Sequence, residues 1–211
     1  EQDRMDDAKV EFSSLVQQYP EDDELRYSLA LVCLEAKAWD EAKGYLEDLI
    51  ARESHVDSAH LNLGRIAEER NDPQGALIEY AQVGAGNDYL PAQLRQADIL
   101  MSNGKTAEAQ SRLAAERGEQ PDYAIQLYLI EAETLSANKQ GDKAWKILQQ
   151  ALQQYPEDLN LLYTRAMLAE KRNDLAQMEK DLRLIIKRDP NNAMALNALG
   201  YTLSDRTTRY A

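Results

Sequence analysis

The chain has 211 residues, 37 acidic and 24 basic side chains for a formal charge of −13, only 7% aromatics, nine Gly and six Pro. So few turn residues exclude an all-β fold, and the charge, with no Lys/Arg-rich run against it, argues against a nucleic-acid partner, which needs a basic patch. A single cysteine, Cys33, excludes an internal disulfide, and no apolar run of about 18 residues exists to form a transmembrane helix.

Ala, Leu, Glu, Gln, Lys and Arg dominate, and these are strong helix formers. In chain order, helices are expected over 5–18, 23–37, 40–53, 57–70, 73–84, 90–102, 105–117, 122–138, 141–154, 158–172, 175–188 and 192–205. The breaks between them carry recognisable punctuation. Gln-Tyr-Pro-Glu-Asp occurs at 18–22 and again at 154–158; in each, Pro stops one helix and the acids cap the next. Asn71-Asp72-Pro73 supplies a cap followed by Pro at the first helical position. Gly84-Ala85-Gly86 reads as a helix C-cap, and Asn103-Gly104 as a left-handed residue between two helices. After the last helix, Thr207-Thr208 reads as the entry to another. The chain opens at Glu1 with neither Met nor a signal sequence, so both ends read as cuts in a longer array.

The helices repeat. Ala followed four residues later by a large apolar side chain occurs at Ala8/Phe12, Ala42/Leu46, Ala76/Tyr80, Ala109/Leu113 and Ala144/Leu148, and Met178/Leu182 continues the series. The successive spacings are 34, 34, 33, 35 and 34. Twelve residues before these anchors, from the second onward, stand Ala30, Gly64, Ala97, Ala132, Ala166 and Gly200. Twelve residues after the anchors stand Pro20, Ser54, Asp88, Pro121, Pro156 and Pro190. A helix pair needs a small residue where its backbones approach most closely and an apolar residue to fill the crossing. It then needs a break before the next pair.

A unit of this length, small at positions 8 and 20, large apolar at 24 and Pro at 32, resembles the tetratricopeptide repeat. The resemblance covers essentially the whole chain. It implies an all-α, right-handed superhelical solenoid of about six antiparallel helix pairs. The approximate units are 1–22 (partial), 23–56, 57–89, 90–124, 125–158, 159–192 and 193–211 (partial). The chain departs from the family pattern in two columns. The usual Trp at position 4 is replaced by Arg26, His60, Gln93, Tyr128, Leu162 and Leu196. The usual Leu at position 7 is lost at Gln96, Glu131 and Arg165. These departures point to middle units that pack less regularly or stand off the regular path.

No catalytic constellation emerges. His55 and His60 are five apart, off the three- or four-residue spacing of helical metal ligands, and read as a loop and a helix histidine packed at a unit junction. Cys33 falls on a packing position and reads as a small buried hydrophobe. Gly84-Ala85-Gly86 lacks the Gly-Lys-Ser/Thr of a phosphate loop. Acid pairs such as Glu68/Glu69 read as solvated helix faces. The expectation is a non-enzymatic chain with no metal and no cofactor.

In the family, the first helix of each unit lines an inner groove through positions 2, 5, 9 and 12. Carried onto this chain, the resemblance implies partner contacts at Tyr27, Leu31, Arg65, Asp98, Met101, Glu133, Tyr163, Met167 and Tyr201. Tyr, Met and Arg are enriched at protein interfaces, and Met suits adaptable contacts. Chaperone-binding members clamp a peptide's terminal carboxylate. Against their pattern Asn62 and Arg95 match, whereas Tyr27, Leu31 and Pro91 do not, which argues against a chaperone-tail receptor.

Two stretches resemble something narrower: YAQVGAGNDYLPAQLRQADILMSNGKTAEAQSRL, with its Val-x-x-Gly-x-x-Tyr join, and NALGYTLSDRTTRYA. Both look like the tetratricopeptide lipoproteins of Gram-negative bacteria, in particular the outer-membrane adaptors of a periplasmic carboxyl-terminal processing protease. That resemblance implies a lipid anchor outside this segment. It also implies a location at the periplasmic face of the outer membrane, and a scaffold gathering the protease with its cell-wall hydrolase substrates. The alternatives are a cytoplasmic interaction module, a scaffold for secretion, pilus or polysaccharide machinery, and the helical arm of an enzyme whose catalytic domain lies elsewhere.

Overall fold

The computed structural model describes the backbone of residues 2–205 and the side chains of residues 7–202. These residues are all-α. They form α1 (Gln2–Gln18), α2 (Asp23–Glu35), α3 (Trp39–Ala51), α4 (Val56–Glu69), α5 (Pro73–Tyr80) and α6 (Tyr89–Ser102). There follow α7 (Thr106–Glu119), α8 (Ala124–Ala137), α9 (Gly141–Gln154), α10 (Leu159–Lys171), α11 (Leu175–Arg188) and α12 (Ala193–Asp205). A 3₁₀ turn, Pro121–Tyr123, leads into α8. Thr207-Thr208, the expected entry to a further helix, lies outside the described residues.

Side-chain caps explain why α2, α5, α10 and α11 start where the sequence places them. Asp22 and Asp158, the last residues of the two Gln-Tyr-Pro-Glu-Asp stretches, accept from the backbone N–H of Leu25 at 3.0 Å and Leu161 at 2.9 Å. Asp72 and Asp174 do the same for Gly75 at 2.9 Å and Gln177 at 3.1 Å. Each satisfies one of the donors that a helix start leaves unpaired.

The ends share a second device. After α2, α4, α6, α8 and α10 one residue takes a left-handed conformation: Lys37, Asn71, Gly104, Lys139 and Asn173. In each case the next N–H reaches back to a carbonyl five residues earlier, as from Ala38 to Cys33 and from Gln140 to Leu135, both at 2.8 Å. This double closure satisfies the last carbonyls and turns the chain into the second helix of the pair.

One boundary moves substantially. α5 was expected to run to 84 and stops at Tyr80, with Ala81 as its C-cap. Gly84-Ala85-Gly86 is therefore not a helix cap. The chain leaves the helix to bury Val83, 5% exposed. The Gly84 N–H then donates to Asp57 Oδ1 of α4 at 2.8 Å.

The chain divides into two compact units, residues 1–99 and 100–211, with the division inside α6. In the first, α1 packs on α2, α2 on α3, α3 on α4 and α4 on α5. Its core includes Leu29, Ala30, Cys33, Ala42, Leu46, Leu49, Ala59, Leu63 and Ile66, joined by a patch of Ala76, Tyr80, Val83, Ala92 and Ile99. In the second, the pairs α8–α9 and α10–α11 stack on each other, α7 packs on α8, and α11 on α12. Its anchors Ala109, Leu113, Ala144, Leu148, Met178 and Leu182 are all buried. The small-residue column has a direct cause at Gly64, where a Cβ would overlap the Tyr80 ring of the neighbouring helix.

Three of the polar departures, Glu131, Arg165 and Arg26, are matched by built-in partners, whereas Gln93 and Gln96 each keep a buried amide oxygen without one. Glu131 is fully buried, takes Arg117 Nη1 at 2.7 Å and Gln110 Nε2 at 2.8 Å, both from α7, and the Arg117 guanidinium lies 4.0 Å over the Tyr128 ring. Arg165 donates through Nε and Nη2 to the buried Asp181 of α11 at 2.8 and 2.7 Å. Arg26, 7% exposed, joins the Pro20 carbonyl, Asp23 and Asp48. α8 and α10 thus keep their pairing with α9 and α11 despite the loss of the usual Leu, because each charge meets an opposite one at short range.

Candidate partner-binding grooves

In residues 1–99, α2 carries Tyr27 and Leu31 four residues apart, Tyr27 partly buried against the core and Leu31 open to solvent. Leu31 is 38% exposed and borders a groove of ≈ 220 Å³ with Leu34, Glu35, Lys37, Trp39, Arg65 and Glu69. Tyr27 is held elsewhere. It stacks on His55 with ring centroids 4.5 Å apart and planes 7° apart, and His55 Nε2 lies 3.1 Å from Glu24 Oε1. Arg65 is exposed and donates to Asn62 Oδ1 at 3.3 Å.

Arg65 and Glu69 also line a second groove, of ≈ 460 Å³, with Leu61, Glu68, Pro91, Leu94 and Arg95. The two grooves adjoin at these two shared residues, forming a two-part trough. Beneath it the Tyr80 hydroxyl donates to Glu68, and Arg95 Nε donates to the same carboxylate at 3.0 Å. Burial, and then the Glu68 carboxylate, push the Tyr80 hydroxyl far above its ordinary pKa. Asp98 is half-buried, with one oxygen 3.8 Å from Arg95 Nη1. The two residues that matched a carboxylate clamp are engaged: Arg95 by Glu68, and Asn62, 4% exposed, by the Ser58 carbonyl at 2.8 Å.

In residues 100–211, Glu133 of α8 and Tyr163 and Met167 of α10 meet in one cleft of ≈ 300 Å³, with Ala132, Ser136, Ala137, Thr164, Leu168 and Lys171. Small side chains on α8 open it, and the four-residue step on α10 sets Tyr163 and Met167 side by side. Tyr201 is 59% exposed on α12. Met101 is a correction. It is 3% exposed, on the wide buried face of α6 that also carries Ala97 and Leu100, so no partner reaches it.

Residue patterns did not single out Trp39, Lys37, Ser136 or Lys171. They stand at the ends of the first helices or just past them, outside the positions inspected for groove contacts. Cys33 is fully buried and its thiol is pushed up by that burial, as fits a core side chain. His60 Nδ1 lies 2.8 Å from Glu79 Oε2, bridging α4 and α5. Among the described residues no group of three or more His, Cys, Asp or Glu could hold a metal ion, and no helix is long and apolar enough to cross a membrane.

Tetratricopeptide repeat profiles match residues 1–63, and again residues 39–89 and 94–158. The chain belongs to the tetratricopeptide repeat family. It is 72% identical over 155 residues to the TPR repeat-containing protein PA4667 of Pseudomonas aeruginosa, covering 74% of this chain and 26% of that protein. The chain therefore spans about a quarter of that relative's length. Among solved structures, a tetratricopeptide repeat protein from Parabacteroides merdae superposes with a TM-score of 0.51 at 13% identity, over 96% of this chain and 79% of that one. MamA from Desulfovibrio magneticus RS-1 gives 0.49 at 17%, over 82% of this chain and 98% of that one. The first of these shows the shared fold. Repeats of this family are protein–protein interaction scaffolds, generally without catalysis of their own.

Proposed function

We propose that this chain is part of an adaptor at the periplasmic face of the outer membrane. It holds a carboxyl-terminal processing protease and its cell-wall hydrolase substrates on one scaffold, and the intact protein is tethered by a lipid anchor outside this segment. The observation that carries the reading is the pair of stretches at 80–113 and 197–211, which resemble such adaptors.

The chemistry asked of the chain is positional. Two proteins held on one array meet at a high effective concentration, so a weak enzyme–substrate pair reacts without any new catalytic group. The trough between Leu31 and Leu94 and the cleft at Glu133, Tyr163 and Met167 offer separate seats.

The test mixes purified protease, a cell-wall hydrolase and increasing amounts of the chain. A scaffold gives a rate that rises, peaks and then falls, as excess chain separates protease from substrate. A flat response, together with no protease recovered when the chain is used as bait in a periplasmic extract, would remove the adaptor reading. Met167→Glu and Tyr201→Glu, at accessible positions, are expected to weaken capture while the helical circular-dichroism signal is kept.

A further inference from the structure

The net charge is not spread along the chain. Residues 1–99 hold 22 of the 37 acidic side chains against nine Lys and Arg, and residues 100–211 hold 15 of each sign. The whole net charge of −13 therefore resides in the first unit. Its cations are also largely spent internally. Lys9, Arg26, Lys43, Arg52, Arg70 and Arg95 each bridge an acid of the same unit, at Glu41, Asp48, Glu47, Glu21, Asp40 and Glu68. What this unit presents outward is an excess of carboxylates.

That excess surrounds an apolar seat. The trough runs from Leu31, Leu34 and Trp39, past Arg65 and Glu69, to Leu61, Pro91 and Leu94. Leu31 and Leu94 are 38% and 37% exposed, two of the few large apolar side chains of this unit left open to solvent. The charges lining the trough itself balance: Glu35 and Glu69 stand with Lys37 and Arg65, and Glu68 with Arg95. The seat is therefore locally neutral and apolar, inside a negative field. Such a field speeds encounter with a cationic partner and repels an anionic one.

We propose that this trough docks a cationic protein segment whose apolar side chains seat at Leu31 and Leu94, and that the neutral second unit does not share this preference. The proposal rests on the scaffold reading but not on the identity of the protease.

Short fluorescein-labelled peptides test it by anisotropy against the whole 211-residue chain. One peptide alternates Lys with Leu, a second replaces its Lys by Glu, and a third replaces its Leu by Ser. The Lys/Leu peptide is expected to bind at least about tenfold more tightly than either other, and to weaken as salt screens the field. The double variant Leu31→Ser, Leu94→Ser leaves the charge untouched and is expected to lose about tenfold or more. Met194→Ser, at an exposed apolar residue of the other unit, is expected to lose nothing. In a Trp145→Phe background, Trp39 emission should shift on binding.

Equal binding of the Lys/Ser peptide, or no loss in the double variant, would mean diffuse attraction and overturn the proposal. So would equal binding of the Glu/Leu peptide or an equal loss in Met194→Ser. Peptide binding as expected with no protease recovered would end the adaptor reading and leave this surface. The reverse would end this surface and leave the adaptor.

Discussion

Gly64 and Tyr80 show how little room a single position has. A methyl group on Gly64 would meet a ring that is fully buried and cannot swing away. Gly64→Ala is expected to destabilise by about 1–3 kcal/mol through overpacking. Gly118, inside α7 with nothing within 4 Å of an added Cβ, should respond in the opposite direction. Gly118→Ala is expected to stabilise by about 0.5 kcal/mol, through the lower conformational entropy of the unfolded chain. Urea unfolding of the two variants reads both signs. Cys33 offers a second check at this scale. Fully buried and with its thiol pushed up, it is expected to resist a thiol reagent in the native state and to react fully once the chain is unfolded. Rapid native labelling would show that the α2–α3 core opens more readily than its packing implies.

At the scale of the element, the starts of α2, α5, α10 and α11 were legible because Asp, with Pro at α5, announces them chemically. The ends were less so. Lys37 and Lys139 turn left-handed with no Gly or Asn to mark them, because the closure is imposed by backbone hydrogen bonds rather than by the side chain. The early stop of α5 was hidden for a related reason: the helix yields to the burial of Val83, a tertiary gain no local pattern displays. The groove was legible in part. Glu133, Tyr163 and Met167 converge because the family register and the helical step agree, whereas Met101 occupies the same register on a helix with a wider buried face. Met101→Glu is accordingly expected to unfold the chain at lower urea, and Met167→Glu to leave the midpoint nearly unchanged. The turn into α2 carries a pH signature. Arg52, by hydrogen bonding, holds the Asp23 carboxyl below its ordinary 3.8. The unfolded chain then takes up that proton more readily. The contribution is fully present above the ordinary value and is lost as pH falls below it. Asp23→Asn is expected to flatten the acid side of a plot of urea midpoint against pH.

For the whole molecule, the charge that keeps the array soluble also strains it. Since −13 sits within residues 1–99, raising NaCl from about 20 to about 200 mM is expected to raise the unfolding midpoint, by screening repulsion more than it weakens the short buried pairs. A midpoint that falls with salt would mean that exposed ion pairs such as Arg70–Asp40 and Arg172–Asp142 matter more than their exposure suggests.

The left-handed turns that end the first helices have a consequence for how such a chain can change over generations. Each closes within six residues, using only hydrogen bonds inside the turn, and they recur at Lys37, Asn71, Gly104, Lys139 and Asn173. A duplicated or deleted stretch running from one turn to the next would bring or remove a complete stop signal. Gene-level gain or loss of one repeat therefore needs no compensating mutation in its neighbours' turns. The buried charges do not share this freedom: Glu131 draws on Arg117 of the preceding repeat, so a break between them would strand a carboxylate in the core. Inheritance by whole repeats is permitted by the turns, and the junction at Arg117 and Glu131 is where it is forbidden.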